Sequence, residues 1–305
     1  NKGFKSIVKD FPVFIQPDSK EEYSLARTEK KSGYGYKGFT FYFGEDVTLE
    51  EDLSRRDFTI NAIARDKDNN LIDPFDGIKD IESKIFRHIS DAFLEDPLRA
   101  IRIARFKTYP HLKDFLIAEP TKEMLTMISK SNELGKLSKD RIWIEIERSL
   151  QSKYASEFFK LLLNFNLITP WLERLTNPDC SDDNSAEIKW AELEAKNNFE
   201  LGKNVPVPNN FKLYVGLLKS LIECEENLPE NDLITCIEKL NFHRNEKEMI
   251  GLLNLKILSS NKDFIAKLAS NVLAEDFTSL KEVSKNEVKN VKLHLIKKAI
   301  KNTYA

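Results

Sequence analysis

Short runs of apolar and β-branched residues mark the first part of the chain. Phe11–Ile15 and residues 22–27 are two such runs, and the turn-prone residues 16–19 separate them. Residues 62–65 and 71–73 form a second pair around a turn rich in Asp and Asn. The pattern predicts β structure, with at least one hairpin, in this part of the chain.

From about residue 81 onward, apolar residues recur at helical spacing. A polar break with a proline occupies residues 177–185. The spacing predicts helices over residues 139–150, 155–163, 211–223 and 233–240, with a lysine-rich helix near the end. The prediction is an α+β chain, in which a small mixed α/β part precedes an all-α part.

Two helix starts carry capping signals. Thr48 with Glu51 three residues later is a capping box. Asp96 is a preferred N-cap residue, and Pro97 suits the first helical position because its missing N–H would have no partner there. Helices are therefore predicted to begin directly after Thr48 and after Asp96.

The helix that follows Asp96 carries three arginines spaced three residues apart, namely Arg99, Arg102 and Arg105. This spacing lines their side chains along one stripe. Arginine can bind phosphate and base edges through two parallel hydrogen bonds, and most other basic residues of the chain are lysines. A solvated charged face on a buried helix is the alternative interpretation, and the pattern alone leaves both open.

Composition indicates an ordinary globular chain. Its 305 residues correspond to roughly two domains, with 41% hydrophobic and 31% charged residues. No apolar run approaches the roughly 20 residues of a membrane span, and no signal peptide is recognisable. We therefore expect no membrane partner and a cytoplasmic location.

Charge and metal-binding residue types narrow the picture further. The formal net charge of -2 does not indicate a nucleic-acid-binding protein, although a local basic groove remains compatible with it. The three cysteines lie far apart without a Cys-x-x-Cys pair, and the four histidines are equally scattered. The sequence thus predicts neither a disulfide framework nor a His or Cys metal cluster.

Four motifs in a fixed order resemble a known family. Residues 55–62 read Arg-Arg-Asp-Phe-Thr-Ile-Asn-Ala, and residues 73–80 read Asp-Pro-Phe-Asp-Gly-Ile-Lys-Asp. Residues 95–106 follow as Glu-Asp-x-x-Arg-x-x-Arg-x-x-Arg-Phe, and residues 138–145 resemble the start of a further family helix. The set resembles the class II tRNA nucleotidyltransferases, the CCA-adding enzymes, which are related to bacterial poly(A) polymerases. The resemblance covers about residues 10–175.

The resemblance implies a domain order and an activity. Residues 1–86 would form an incomplete nucleotidyltransferase head, residues 87–150 a helical neck with the nucleotide-selecting helix, and residues 151–305 a helical body and tail that bind tRNA. The implied enzyme adds C, C and A to tRNA 3′ ends from CTP and ATP, releases pyrophosphate and uses Mg²⁺. Residues 27–39 resemble the proteobacterial CCA-adding branch more than its poly(A) polymerase relatives.

Under this resemblance, Asp96 and Arg99 would select the base. Cytosine and adenine both present an exocyclic amino donor beside a ring-nitrogen acceptor, and a carboxylate next to a guanidinium complements that pattern. Uracil and guanine present a carbonyl beside an N–H, which would leave buried groups unpaired. Base selection would then require no nucleic-acid template.

The resemblance implies nucleotide contacts for five further residues. Arg102 and Arg105, with Arg56, would contact the triphosphate or the base. Asp57 and Asn61 would orient the ribose, whose 2′-OH separates NTP from dNTP. Capping or turn formation is the alternative interpretation for Asp57 and Asn61.

Three residues of the second motif, Asp73, Gly77 and Asp80, are expected to have structural roles, since turns favour these residue types. The family places its metal-binding aspartates in an Asp-x-Asp strand after a Gly-Gly-x-x-Arg-Asp stretch, and the sequence lacks that stretch. Its Asp66-Lys67-Asp68 run is predicted to be a hairpin turn. No catalytic or metal-binding residue is therefore assigned within the chain, and the missing strand is expected upstream of Asn1.

Three further activities are compatible with the motifs. A poly(A) polymerase, or an enzyme that adds only CC or only A, would share them. A non-catalytic RNA-binding protein is the alternative if the metal carboxylates are truly absent.

No His-Asp pair occurs, so no phosphohydrolase activity is expected. The lysines of residues 281–301 could bind an RNA backbone or form a solvated face.

Overall fold

Small β sheets occupy the first part of the chain in a computed structural model that describes residues 5–8, 11–31 and 39–305. Part of the 27–39 stretch, residues 32–38, lies outside the described residues. The described strands are β1 (Lys5–Val8), β2 (Phe11–Ile15), β3 (Glu22–Ser24), β4 (Thr28–Lys31), β5 (Phe39–Tyr42), β6 (Ala64–Arg65), β7 (Leu71–Ile72), β8 (Ile85–Phe86) and β9 (Leu116–Ile117).

The strands pair mostly with their neighbours in sequence. Strands β1, β2 and β3 form an antiparallel sheet in that order, and β4 pairs with β5. The predicted hairpin is confirmed as β6 and β7, whereas the predicted strand over residues 22–27 ends at Ser24. Strands β8 and β9 pair in parallel.

Helices dominate the rest of the chain. The predicted helix over residues 139–150 has the predicted bounds. The helices predicted over residues 155–163, 211–223 and 233–240 differ from the observed bounds by a few residues. The described α-helices are α1 (Leu49–Ser54), α2 (Gly77–Glu82), α3 (Leu98–Phe106), α4 (Glu119–Lys130), α5 (Lys139–Leu150), α6 (Ser156–Asn164), α7 (Ala186–Lys196), α8 (Asn209–Glu223), α9 (Glu230–Leu240), α10 (Glu246–Leu252), α11 (Lys262–Leu273) and α12 (Val288–Tyr304).

Small sheets and many helices confirm the predicted α+β class, although β8 and β9 lie in the part of the chain that was predicted to be all-helical. Within the described ranges, no helix is both long and apolar enough to cross a membrane.

The predicted start of α1 directly after Thr48 is confirmed, whereas α3 begins at Leu98, one residue later than predicted. Thr48 and Glu51 form a reciprocal capping box at the start of α1. The Asp96 carboxylate accepts a hydrogen bond from the backbone N–H of Leu98 at 3.2 Å, as an N-cap side chain does. These local contacts determine where the chain turns into α1 and into α3.

The chain divides into two compact units. Among the described residues, unit 1 comprises those within 1–103, 111–138 and 165–167, and unit 2 comprises those within 104–110, 139–164 and 168–305. Helix α3 begins in unit 1 and ends in unit 2. The predicted segments 1–86, 87–150 and 151–305 follow the family's domain order and stay a prediction.

Unit 1 is built around buried phenylalanines. Phe58, Phe86 and Phe93 are fully buried, and the ring of Phe58 meets those of the other two edge-on at centroid distances of 5.8 and 5.7 Å. Leu53 of α1 and Ile101 of α3 are also buried. Because large aromatic side chains bury much apolar surface, this cluster fixes the backbone segments that carry its members.

Unit 2 contains a helical core of its own. Helix α7 packs against α8, and α12 packs against α9 and α11. Trp143 of α5 meets Trp190 of α7 edge-on at 5.3 Å. On α12, Lys292, Lys297 and Lys298 each form an ion pair, with Glu238, Glu230 and Glu275 respectively. These pairs reduce the positive charge that the lysines could offer to RNA.

Replacing Gly77 by Ala is expected to destabilise the fold by about 1–3 kcal/mol, the usual cost of overpacking. A Cβ there would lie 2.3 Å from the backbone oxygen of Thr59, which cannot move aside as a flexible side chain can. Gly216→Ala is the matched control, because a Cβ at that helical position has no neighbour within 4 Å. It should stabilise the fold slightly, since Ala favours helices. Urea unfolding measures the free energy of unfolding of both variants. Equal changes in that free energy would contradict the prediction.

The stability of unit 1 should fall as the pH drops below about 6.5, the usual pKa of histidine. Burial lowers the pKa of His88, which Asp91 raises and Arg87 lowers to smaller extents. The folded state therefore binds fewer protons at this site than the unfolded state, so stability is complete above the unfolded pKa and is lost on acidification. The ring Nδ1 and the Thr121 hydroxyl are 2.8 Å apart.

His88→Gln should reduce the difference in unfolding free energy between pH 7 and pH 5. His294→Gln, at an exposed position of α12, is the control and should leave that difference unchanged. A pH dependence that is identical in wild type and His88→Gln would contradict the assignment.

Candidate nucleotide-binding site

The aromatic core of unit 1 anchors two of the sequence motifs. Phe58 directly follows Asp57, and Phe93 lies three residues before Asp96. The backbone N–H of Thr59 donates to the carbonyl of Arg87 at 3.0 Å, which ties the first motif to the segment after β8. Burial of Phe58 and Phe93 in one cluster therefore fixes the first motif relative to the start of α3.

Asp57 connects the two motifs directly. Its Oδ1 accepts hydrogen bonds from the backbone N–H of Phe58 at 3.0 Å and from Asn61 Nδ2 at 2.9 Å. Its Oδ2 accepts from Arg102 Nε at 2.8 Å. The Asp57 side chain is 6% exposed and that of Arg102 is 37% exposed, so the ion pair has a buried end and a solvent-facing end.

Arg56 closes the turn that follows α1. Its Nη1 donates to the carbonyl of Asn61 at 3.0 Å, and its Nη2 lies 3.7 Å from Asp52 Oδ2. With 43% of its side chain exposed, Arg56 keeps donors toward solvent. Arg56, Asp57 and Asn61 thus form one hydrogen-bonded group, and Arg102 joins it through Asp57.

Arg99 is oriented by two backbone carbonyls. Its Nη1 donates to Ala92 O at 3.0 Å, and its Nη2 donates to Arg55 O at 2.6 Å. Burial lowers the pKa of Arg99, and the charges of Asp96 and Asp57 act in the opposite direction. Because arginine stays charged in proteins, a fixed and positively charged fork lies beside the Asp96 cap.

Arg105 differs from the other two arginines of α3. It belongs to unit 2, is 6% exposed, and donates through Nε to Glu145 Oε2 and through Nη1 to the Tyr109 hydroxyl. Its guanidinium carbon lies 4.4 Å from the centroid of the Phe106 ring. A spacing of three residues drifts by about 60° per step around a helix, so the stripe turns toward the interior by its third member. The nucleotide contact of Arg105 stays a prediction. In the structure its guanidinium already donates to Glu145 and Tyr109.

A charge network behind the site was not foreseen from the sequence. Arg55 donates through Nη2 to Asp52 Oδ1 at 2.7 Å and through Nη1 to Glu29 Oε1 at 3.0 Å. Burial alone would raise the pKa of Asp52, but hydrogen bonding to Arg55 and the charge of Arg55 bring it below its usual value. The i, i+3 spacing could have indicated the Asp52 pair; nothing local indicates Glu29, which lies 26 residues from Arg55.

The acidic residues of the second motif have structural partners, as expected. Asp73 accepts from the backbone N–H groups of Gly77 and Ile78 at 2.7 and 2.8 Å, at the start of α2. Asp80 accepts from the Thr59 hydroxyl at 2.7 Å and forms an ion pair with Arg87 at 3.0 Å. These contacts organise the motif.

The described residues do not fit a metal centre. Asp66 closes the β6–β7 turn by accepting from the backbone N–H groups of Asp68 and Asn70, each at 2.8 Å. This confirms the predicted turn. Across residues 5–8, 11–31 and 39–305, no group of three or more His, Cys, Asp or Glu side chains could hold a metal ion.

Family models match two regions of the chain. The model of the "Poly A polymerase head domain" matches residues 12–87, which include the Arg56–Asp57–Asn61 group. The model described as "Probable RNA and SrmB- binding site of polymerase A" matches residues 114–177.

Two curated relatives match at high identity. A "Multifunctional CCA protein" of Acinetobacter baylyi is 50% identical over 162 residues, which are 53% of this chain and 39% of that protein. A "CCA-adding enzyme" of Actinobacillus succinogenes is 37% identical over 258 residues, which are 81% of this chain and 63% of that protein. The chain therefore spans only part of the length of these relatives.

Solved structures share the fold at low sequence identity. The Bacillus stearothermophilus CCA-adding enzyme in complex with CTP is 20% identical, with a TM-score of 0.63 over 98% of this chain and 79% of that chain. The Thermotoga maritima CCA-adding enzyme complexed with tRNA is 18% identical, with a TM-score of 0.56 over 97% of this chain and 81% of that chain. These structures share the fold, and the motifs, the two family models and the curated relatives make the chain similar to the class II CCA-adding enzyme family.

Proposed function

We propose that the protein adds C, C and A to the 3′ ends of tRNA from CTP and ATP. The observation that carries the proposal is the Asp57–Arg102 ion pair, because it brings a candidate ribose-binding motif and a candidate base-selecting helix into one site. The CCA addition for which the curated relatives are named, and the CTP and tRNA bound to the similar structures, support it.

Different residues would bind the triphosphate, the ribose and the base of the nucleotide. The Arg56 and Arg102 side chains, 43% and 37% exposed, would contact the triphosphate, because guanidinium forks match phosphate oxygens bidentately. Asp57 and Asn61, which hydrogen-bond to each other, lie ready to orient the ribose. Asp96 and Arg99 lie at the start of α3 and supply the acceptor and the donors that cytosine and adenine require. Arg105 remains in the proposal as a nucleotide-binding prediction.

The reaction transfers a nucleotidyl group. The tRNA 3′ oxygen would form a bond to the α-phosphorus of the bound nucleotide while the bond to pyrophosphate breaks. The family uses a divalent metal, and we propose Mg²⁺. Since the described residues do not fit a metal centre, they are assigned only binding and orientation of the nucleotide.

The three unpaired cysteines support a cytoplasmic location, where thiols remain reduced.

Poly(A) addition is the second candidate function, and the match of residues 12–87 to the poly(A) polymerase head domain favours it over a non-catalytic RNA-binding protein.

The test uses the full-length protein, tRNA that lacks its 3′ CCA, and Mg²⁺. CTP alone should add two residues, and CTP with ATP should complete the end with a single A. Long tails from ATP alone would instead establish a poly(A) polymerase. Absence of CMP and AMP incorporation would overturn the proposal.

A further inference from the structure

Glu29 lies at one end of a series of contacts that ends at Arg99. Glu29 Oε1 accepts from Arg55 Nη1 at 3.0 Å. The carbonyl of the same Arg55 accepts from Arg99 Nη2 at 2.6 Å. Arg55 therefore contacts Glu29 through its side chain and Arg99 through its backbone.

Arg55 is well placed to link the two. It is the C-cap residue of α1, and the last carbonyls of a helix have no intrahelical partner, so its oxygen is available to another donor. Its side chain is fixed by carboxylates on two elements, Asp52 of α1 and Glu29 of β4. A change at either carboxylate would shift the residue whose carbonyl meets Arg99.

The network is shielded enough for its charges to matter. The side chains of Glu29 and Arg55 are each 18% exposed, and that of Asp52 is 11% exposed. Glu29 Oε1 also accepts from Arg27 Nε at 3.0 Å, so one carboxylate oxygen joins two guanidinium groups. Charge-assisted hydrogen bonds of this kind are about twice as strong as neutral ones, and partial burial limits their screening.

The orientation of Arg99 is what these contacts control. Two carbonyls, Ala92 O and Arg55 O, take two of the five N–H groups of its planar guanidinium. Because the guanidinium is planar, these two contacts also fix the directions of its remaining N–H groups. Because bidentate reading of a base edge depends on the angle of the fork, a small rotation would weaken the match to the correct base more than the binding of the triphosphate.

We propose that Glu29 is a positioning residue that sets base specificity by holding Arg55, and through the Arg55 carbonyl the guanidinium of Arg99. This inference rests on the proposed function, in which Arg99 reads the base. A purely structural role of Glu29 in the β4–β5 hairpin would lower stability and leave the preference among nucleotides unchanged.

The test compares nucleotide binding by wild type and Glu29→Gln. Calorimetric titration with CTP and with UTP gives the ratio of the dissociation constant for UTP to that for CTP. This readout requires no turnover. The ratio should fall about fivefold in Glu29→Gln, since the ion pair with Arg55 becomes a hydrogen bond in which only the arginine is charged. Glu45→Gln is the matched control, because it removes the same charge at an exposed position of unit 1 and should keep the wild-type ratio.

An unchanged ratio in folded Glu29→Gln, or an equal fall in Glu45→Gln, would overturn the inference. If Glu29→Gln does not fold, Arg55→Lys tests the same link, because lysine keeps the charge but cannot contact both carboxylates as a fork. It should lower the ratio as well, and an unchanged ratio would again overturn the inference. If wild type itself does not prefer CTP over UTP, the proposed base selection fails; a wild-type preference that both variants keep refutes only the role of Glu29.

Discussion

Replacing Glu145 by Leu is expected to destabilise the protein by about 3–5 kcal/mol, because it leaves a buried positive charge without its counter-charge. The Arg105 and Glu145 side chains are only 7% and 4% exposed. Water can therefore replace little of the lost interaction. Urea unfolding followed by circular dichroism measures the change in unfolding free energy.

The double variant Arg105→Met/Glu145→Leu should recover most of that loss, since apolar residues of similar volume often replace a buried ion pair without cost. Glu147→Gln, on the same helix α5, serves as the control and should change stability by less than about 0.5 kcal/mol. A Glu145→Leu variant as stable as the control would contradict the assignment of a buried ion pair.

Replacing Asp57 by Ala is expected to lower kcat/KM for CMP incorporation by about 100-fold, the effect of a misplacement of about 1 Å in a reacting complex. The change removes the acceptor of three hydrogen bonds and separates Arg102 from the first motif. The measurement is steady-state incorporation by the full-length protein.

Asp68→Ala is the control for this variant, because Asp68 lies exposed in the β6–β7 turn. It should keep the wild-type kcat/KM. If a folded Asp57→Ala variant incorporates CMP with the same kcat/KM as the wild type, the ion pair does not organise the nucleotide site.

Features determined by neighbouring residues were predictable from the sequence. The Thr48 capping box, the Asp96 cap and the Asp66 turn each depend on side chains that meet the backbone within four residues. Helix α5 has the predicted bounds, and its buried apolar residues Ile142, Trp143, Ile146 and Leu150 recur at helical spacing. Local propensity and packing agree at these positions.

Features that depend on distant partners were not predictable in the same way. The spacing on α3 placed three arginines along one stripe, but Arg102 pairs with Asp57, 45 residues away, and Arg105 pairs with Glu145, 40 residues away. Which arginine meets which carboxylate depends on tertiary packing, and the spacing along one helix contains no information about it. The Glu29–Arg55 contact likewise joins residues without a shared periodic pattern.

In the proposed function, side chains of unit 1 choose the nucleotide. The most direct measurement is sequencing of the 3′ ends that the full-length protein produces from CCA-lacking tRNA when all four nucleoside triphosphates are present at equal concentration. We expect ends that read CCA and stop, without U or G. Ends that contain U or G as often as C or A would contradict base selection by Asp96 and Arg99.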